Sequence, residues 1–125
     1  MPDTTRQPTG EYPRSAAAQR IDLQEAADML VASLAGKSRQ TRSLGREAGV
    51  SVLMMAMESG DLLAEHSAKG TVTIHVLRGH AVLTAAGEPF DLRPGQLVMM
   101  QPAVRHDLRA EEQSVVLLTI TGGDD

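Results

Sequence analysis

The stretch Thr71-Val72-Thr73-Ile74-His75-Val76-Leu77-Arg78-Gly79-His80-Ala81-Val82-Leu83-Thr84-Ala85-Ala86-Gly87-Glu88-Pro89-Phe90-Asp91-Leu92-Arg93-Pro94-Gly95 decides the fold class. Three runs rich in apolar and β-branched residues are separated by Arg-Gly, Ala-Gly and Arg-Pro-Gly breaks. Each run has a period of two, so the three read as strands over 71–78, 81–85 and 88–92. The pattern continues outward on both sides. Strands are expected at 38–44, 50–57 and 62–66 before it, and at 96–101, 105–110 and 114–121 after it. Glycine, proline and acidic residues punctuate them at Gly45/Gly49, Ser59-Gly60-Asp61, Lys69-Gly70, Pro102 and Glu111-Glu112. Short strands at this even spacing make an all-β sandwich or barrel.

One segment breaks the period. Leu23, Ala26, Ala27, Leu30, Val31 and Leu34 recur at three- and four-residue steps, which predicts an amphipathic helix over 21–35. Asp22 with Glu25 three residues on forms a capping-box-like start, and Gly36 suits the left-handed C-terminal cap. Residues 1–20 hold Pro2, Pro8, Pro13 and Gly10 and no apolar period. They are expected to form a disordered or loosely packed tail, leaving 21–125 as the domain.

Composition removes whole classes of function. The 125 residues contain no Cys, which excludes disulfide scaffolds, thiolate metal sites and cysteine nucleophiles. With no Trp, one Tyr and one Phe, stacking on bases or sugars has almost nothing to use. A net charge of −4 is opposite to a phosphate-binding surface, so no nucleic-acid partner is expected. Lys37, Arg39, Arg42 and Arg46 form a local basic cluster, read as a solvated strand face or subunit edge. No run approaches the ~20 apolar residues of a spanning helix. Asp22, Glu25 and Asp28 precede the apolar run Met29–Ala35, where an export signal would carry positive charge. A cytoplasmic protein without a membrane partner is the expectation.

Two runs, Val50–Met57 and Val115–Ile120, are apolar on both faces. A strand with one wet face alternates, so double-sided burial needs a second layer, either the helix or another subunit. A homodimer built on the sheet surface is therefore expected. Met54, Met55, Met57, Met99 and Met100 read as fillers of irregular core gaps where aromatic residues are missing.

The residues that could carry chemistry are His66, His75, His80 and His106. There is no HExxH, nucleophile elbow, phosphate-binding glycine loop or EF-hand spacing. No pair of acids stands out for acid–base work. His80 reads as a solvated edge residue.

The segment Gly60-Asp61-Leu62-Leu63-Ala64-Glu65-His66, continuing to Val76-Leu77-Arg78-Gly79, resembles the first motif of the cupin superfamily. Arg93-Pro94-Gly95-Gln96-Leu97-Val98-Met99-Met100, through Pro102 to His106, resembles the second. The stretch Arg105–Ile120 is similar to the end of small single-domain bacterial cupins. The resemblance spans roughly residues 22–121 and implies a cupin-type double-stranded β-helix, a jelly-roll barrel with one N-terminal helix.

In metal-bearing cupins two His and a Glu of the first motif converge with a His of the second. Carried over from Gly79, the first His falls on His66, the second on Ala68 and the Glu on Val72; His106 keeps the fourth place. Gln101 stands where the family has Pro, and Ala103 where it has Gly or Asn. Alternation puts Val72, Ile74 and Val76 on one face and His75 on the other, unless a bulge at Gly70 reverses it. His75 is thus a candidate third metal ligand, with a contact across a subunit interface as the simpler role.

Two functions follow. One is a small-molecule binding protein, its barrel pocket lined by aliphatic side chains with Met55, Met57 and Met100, and His66 and His106 as polar anchors. The other is a metal-dependent enzyme, a dioxygenase or isomerase, holding Zn, Mn, Fe or Ni on His66, His106 and a non-standard third ligand. The fold hosts both, and the two missing ligands favour binding without a resident cofactor.

Overall fold

The computed structural model describes residues 17–122. Within them lie one helix and nine strands: α1 (Leu23–Ala32), β1 (Arg39–Glu47), β2 (Val50–Met57), β3 (Leu62–His66), β4 (Thr71–Arg78), β5 (Ala81–Ala85), β6 (Glu88–Leu92), β7 (Leu97–Met100), β8 (His106–Ala110) and β9 (Ser114–Thr121).

Asp22 starts the helix. Its backbone is extended and its carboxylate accepts from the Glu25 N–H at 3.0 Å, satisfying one of the first-turn donors. The helix is shorter than 21–35, because residues 33–36 tighten into a turn that ends at Gly36 with φ +91°. Most of the expected tail lies outside the described residues. Gln19 belongs to the part that is described, and its amide donates to the Leu44 carbonyl at 3.0 Å.

The strands form two antiparallel sheets, with orders β1-β2-β9-β4-β7 and β3-β8-β5-β6. This is the jelly-roll arrangement. The main core lies between the sheets. Met55, Met57, Val72, Ile74, Val76, Met100, Val116 and Leu118 come from the large sheet; Ala81, Leu83, Leu92, Leu108 and Ala110 come from the small one.

A second core lies outside the large sheet. Ala26, Ala27, Leu30 and Leu34 pack there on Leu44, Met54, Ala56 and Val115. Both faces of β2 are thus buried within one chain: Leu53, Met55 and Met57 toward the barrel interior, Met54 and Ala56 beneath α1. The helix is the second layer that the double-sided run requires. Each large side chain so enclosed contributes about 1.5–3 kcal/mol of transfer free energy. Arg78 pins the layer from the sheet side, donating to Asp28 Oδ1 and Gln24 Oε1, each at 2.8 Å.

The basic cluster departs from the expected solvated face. Lys37 and Arg46 are exposed, but Arg42 is buried on the same side as Leu44 and Met54, and Arg39 lies 3.6 Å from the largely buried Asp61. The helix packs on Leu44 of β1, so the outer face of this strand is not the solvated face expected. A bulge between Ser43 and Gly45 adds Leu44 to the strand and sends it into the same outer core.

Gly79 ends the first motif with φ +87°, and a Cβ there would stand 2.3 Å from the Gln113 carbonyl oxygen. Both the backbone conformation and the close approach of the chain before β9 require glycine. Among the described residues, no helix is long and apolar enough to cross a membrane.

Candidate functional site

His106 opens β8 and alternates with Leu108 and Ala110, all three buried against the core. His66 ends β3 and faces it. The pairing runs Leu62 with Arg109 and Leu63 with Leu108, then jumps to His66 with His106. Three residues advance on β3 for two on β8, so Ala64 and Glu65 form a bulge. Strict alternation would place His66 on the face opposite Leu63; the extra residue turns it onto the same face.

The two imidazoles are in contact, with centroids 4.2 Å apart and planes inclined at 57°. His66 Nδ1 lies 2.9 Å from the Ala64 carbonyl oxygen, and His106 Nδ1 lies 3.0 Å from that of Val104. A carbonyl has no proton to give, so Nδ1 carries the hydrogen in each ring, and in the neutral imidazole that leaves none on Nε2. Nε2 is then a bare lone pair in each. Among the described residues, no hydrogen bond is made to either Nε2.

The loops beside the pair are tied together, with the Ala103 N–H donating to the Ala68 carbonyl at 2.8 Å. Ala103 holds φ +70°, a left-handed conformation that Gly or Asn adopts at less cost. Leu63, Ala68 and Val104 are partly buried and pack on the core at this end. Glu65 and Arg105, the neighbours of the two histidines, are exposed and pair with each other at 3.2 Å.

The other expected site residues lie elsewhere. His75 is not brought to the pair: Val72, Ile74 and Val76 face the core, while His75 sits on the outer face between Leu97 and Leu117. The irregularity in β4 falls at Val76/Arg78, after His75, so it does not turn this ring inward. His80 is no solvated edge residue. Its side chain is 17% exposed, its Nε2 lies 2.5 Å from Asp91 Oδ1, and its backbone N–H donates to Ser114 Oγ at 3.0 Å. That imidazole, with Arg93 nearby, holds the Asp91 carboxyl below its ordinary value. Met55, Met57 and Met100 face the interior from the large sheet, each 5% exposed or less. They fill the core rather than line an accessible wall. The accessible rim residues Leu63, Ala68 and Val104 carry no sequence signal beyond standing near the two histidines.

The donor set can be tested against a metal. The positions that would supply another His and a Glu hold Ala68 and Val72, and Val72 does face the interior. Among the described residues, no group of three or more His, Asp or Glu could hold a metal ion. A catalytic metal ordinarily keeps three protein ligands, so two imidazoles do not fit a resident one.

Two antiparallel sheets closed on one apolar core, with a histidine from each motif meeting across β3 and β8, define a jelly-roll barrel with a two-histidine site. The model of the Cupin domain family matches residues 53–121, more than half of the chain, and the chain belongs to that family. A conserved protein of unknown function from Streptococcus pyogenes superposes with a TM-score of 0.70 at 20% identity, covering 94% of this chain and 98% of that one. A cupin superfamily protein from Desulfitobacterium hafniense gives 0.65 at 19%, covering 68% and 78%. Salicylate 1,2-dioxygenase from Pseudoaminobacter salicylatoxidans gives 0.75 at 12%, covering 89% of this chain and 35% of that one. At these identities the likeness is one of fold. No curated protein matches the sequence.

Proposed function

We propose that this chain is a small-molecule binding protein of the cupin family, holding its ligand at the His66–His106 pair. The observation that supports this is the shared tautomer: two adjacent rings, each fixed by a main-chain carbonyl, each presenting an unpaired Nε2. Two fixed acceptors beside the apolar residues Leu63, Ala68 and Val104 match the usual ligand site, mostly apolar with a few placed polar groups. Aliphatic residues at the remaining positions of the family's ligand set leave binding better supported than metal catalysis. We further propose that the protein works as a homodimer.

Elemental analysis of protein purified without added metal tests the choice. Well under one equivalent of transition metal is expected. Near one equivalent of Fe, Mn, Ni or Zn, lost in both His66→Ala and His106→Ala, would overturn the reading and make the protein a metal-dependent cupin.

A further inference from the structure

We infer that the ligand of this site is a hydrogen-bond donor, a neutral hydroxyl or amine compound, and not an anion. The inference rests on the binding function proposed above and adds the chemistry of the group bound.

Nδ1–H of each ring is committed to a backbone carbonyl, Ala64 for His66 and Val104 for His106. What remains toward a ligand is two lone pairs, which attract a polarised hydrogen and repel a carboxylate or phosphate oxygen. An anion would need a cation or an N–H donor to offset its desolvation. The nearby arginine does not supply one. Arg105 points to the exposed face and pairs with Glu65, while Arg109 and Arg93 pair with Glu111 and Asp91. The partly buried residues at this end, Leu63, Ala68 and Val104, are aliphatic. A hydroxyl or amine meets the opposite situation: its hydrogen finds an acceptor with no proton to displace, and its carbon skeleton lies against apolar side chains. With ring centroids 4.2 Å apart, one small molecule reaches both rings.

The test uses the full chain, with ¹⁵N-labelled histidine, at pH 8. Long-range ¹H–¹⁵N correlation spectra report which nitrogen of each ring carries the hydrogen. The free protein should show Nδ1–H, Nε2-bare rings for both His66 and His106. It is then titrated with three probes of one ring size: phenol, which donates; anisole, which does not; and benzoate, which is anionic. Phenol should shift the Nε2 resonances of both rings and bind at least tenfold more tightly than either of the others. An Nε2–H tautomer in either free ring, benzoate binding as tightly as phenol, or anisole equal to phenol would each overturn the ligand class while leaving the binding site in place. If none of the three perturbs either histidine, the binding function itself falls, and the ligand class with it.

Discussion

His66 and His106 stand directly opposite each other on β3 and β8, although three residues separate Leu63 from His66 and only two separate His106 from Leu108. The mismatch is the bulge at Ala64 and Glu65. It does two things at once. It turns His66 to the interior face, and it brings the Ala64 carbonyl to 2.9 Å from His66 Nδ1, from which it accepts. One irregularity in the strand therefore sets both the position and the tautomer of the ring.

Ala103 is strained where the loops beside the pair meet. Its φ of +70° costs a residue with a Cβ about 1–2 kcal/mol. Glycine removes that cost but regains about 0.4–1 kcal/mol of unfolded-chain freedom. Ala103→Gly should thus raise stability in urea denaturation by about 0.5 kcal/mol, and β-branched Ala103→Val should lower it. An unstrained Ala103 would give the opposite order, with glycine the less stable.

Acid should weaken the contact between His80 and Asp91. Hydrogen bonding to His80 lowers the Asp91 carboxyl below its ordinary 3.8. A carboxylate with a lowered folded value contributes stability that is full above the unfolded value and lost as pH falls through the folded one. Asp91→Asn should therefore melt below the unmodified protein at pH 5, and the gap should close as pH falls from about 4 toward 2. Melting temperatures followed across that range check this; a gap that stays constant with pH would show that the ion pair contributes nothing.

The helix layer should be part of one cooperative unit with the barrel. Leu30 is 5% exposed and packs in the outer core that contains Met54. Truncating a buried leucine costs about 2–5 kcal/mol. Leu30→Ala and Met54→Ala should each lower the unfolding free energy by an amount in that range, seen as a lower urea midpoint with unchanged slope and a single transition. Two separate transitions would mean that α1 unfolds independently of the sheets.

The strands were legible in the sequence because alternation and glycine or proline breaks are local signals. Period two placed Val72, Ile74 and Val76 on one face and His75 on the other; which face points inward came only from the family resemblance. The inward turn of His66 did not follow from period two, because a bulge is a property of two paired strands and Leu62–His66 shows only one of them. Arg42 misled for a similar reason. Between polar neighbours it reads as solvated, but it is buried in the fold on the same side as Met54, which no local pattern reports. Met54, Met55, Met57 and Met100 lie in the core as read, whereas Met99, read with them, stands exposed on the edge strand β7; whether a core methionine reaches an open wall depends on packing that no spacing reveals.

The last prediction concerns assembly. The sequence left the second apolar face of β2 to the helix or to another subunit; α1 covers it, so Leu53→Asp or Met55→Asp would strike the barrel interior and test folding instead. Among the described residues, large apolar side chains are exposed at Leu62 of β3 and, as a neighbouring pair, at Leu97 and Met99 of β7. In the large sheet β7 is the last strand, paired with β4 on one side, and it exposes Leu97 by 51% and Met99 by 69%. The register sets these beside Thr73 and His75 of β4, giving a mixed apolar and polar outer face next to an edge that pairs with no further strand among the described residues. An edge with exposed apolar side chains invites strand or face pairing, and a two-fold axis lets the same patch serve both copies. Light scattering at micromolar concentration should give twice the 13.3 kDa chain mass. The double variant Leu97→Lys/Met99→Lys should give the 13.3 kDa monomer with an unchanged circular dichroism spectrum, since neither side chain belongs to either buried core. A monomeric mass for the unmodified protein would sink the dimer. A dimer that survives both lysines would move the interface away from β7.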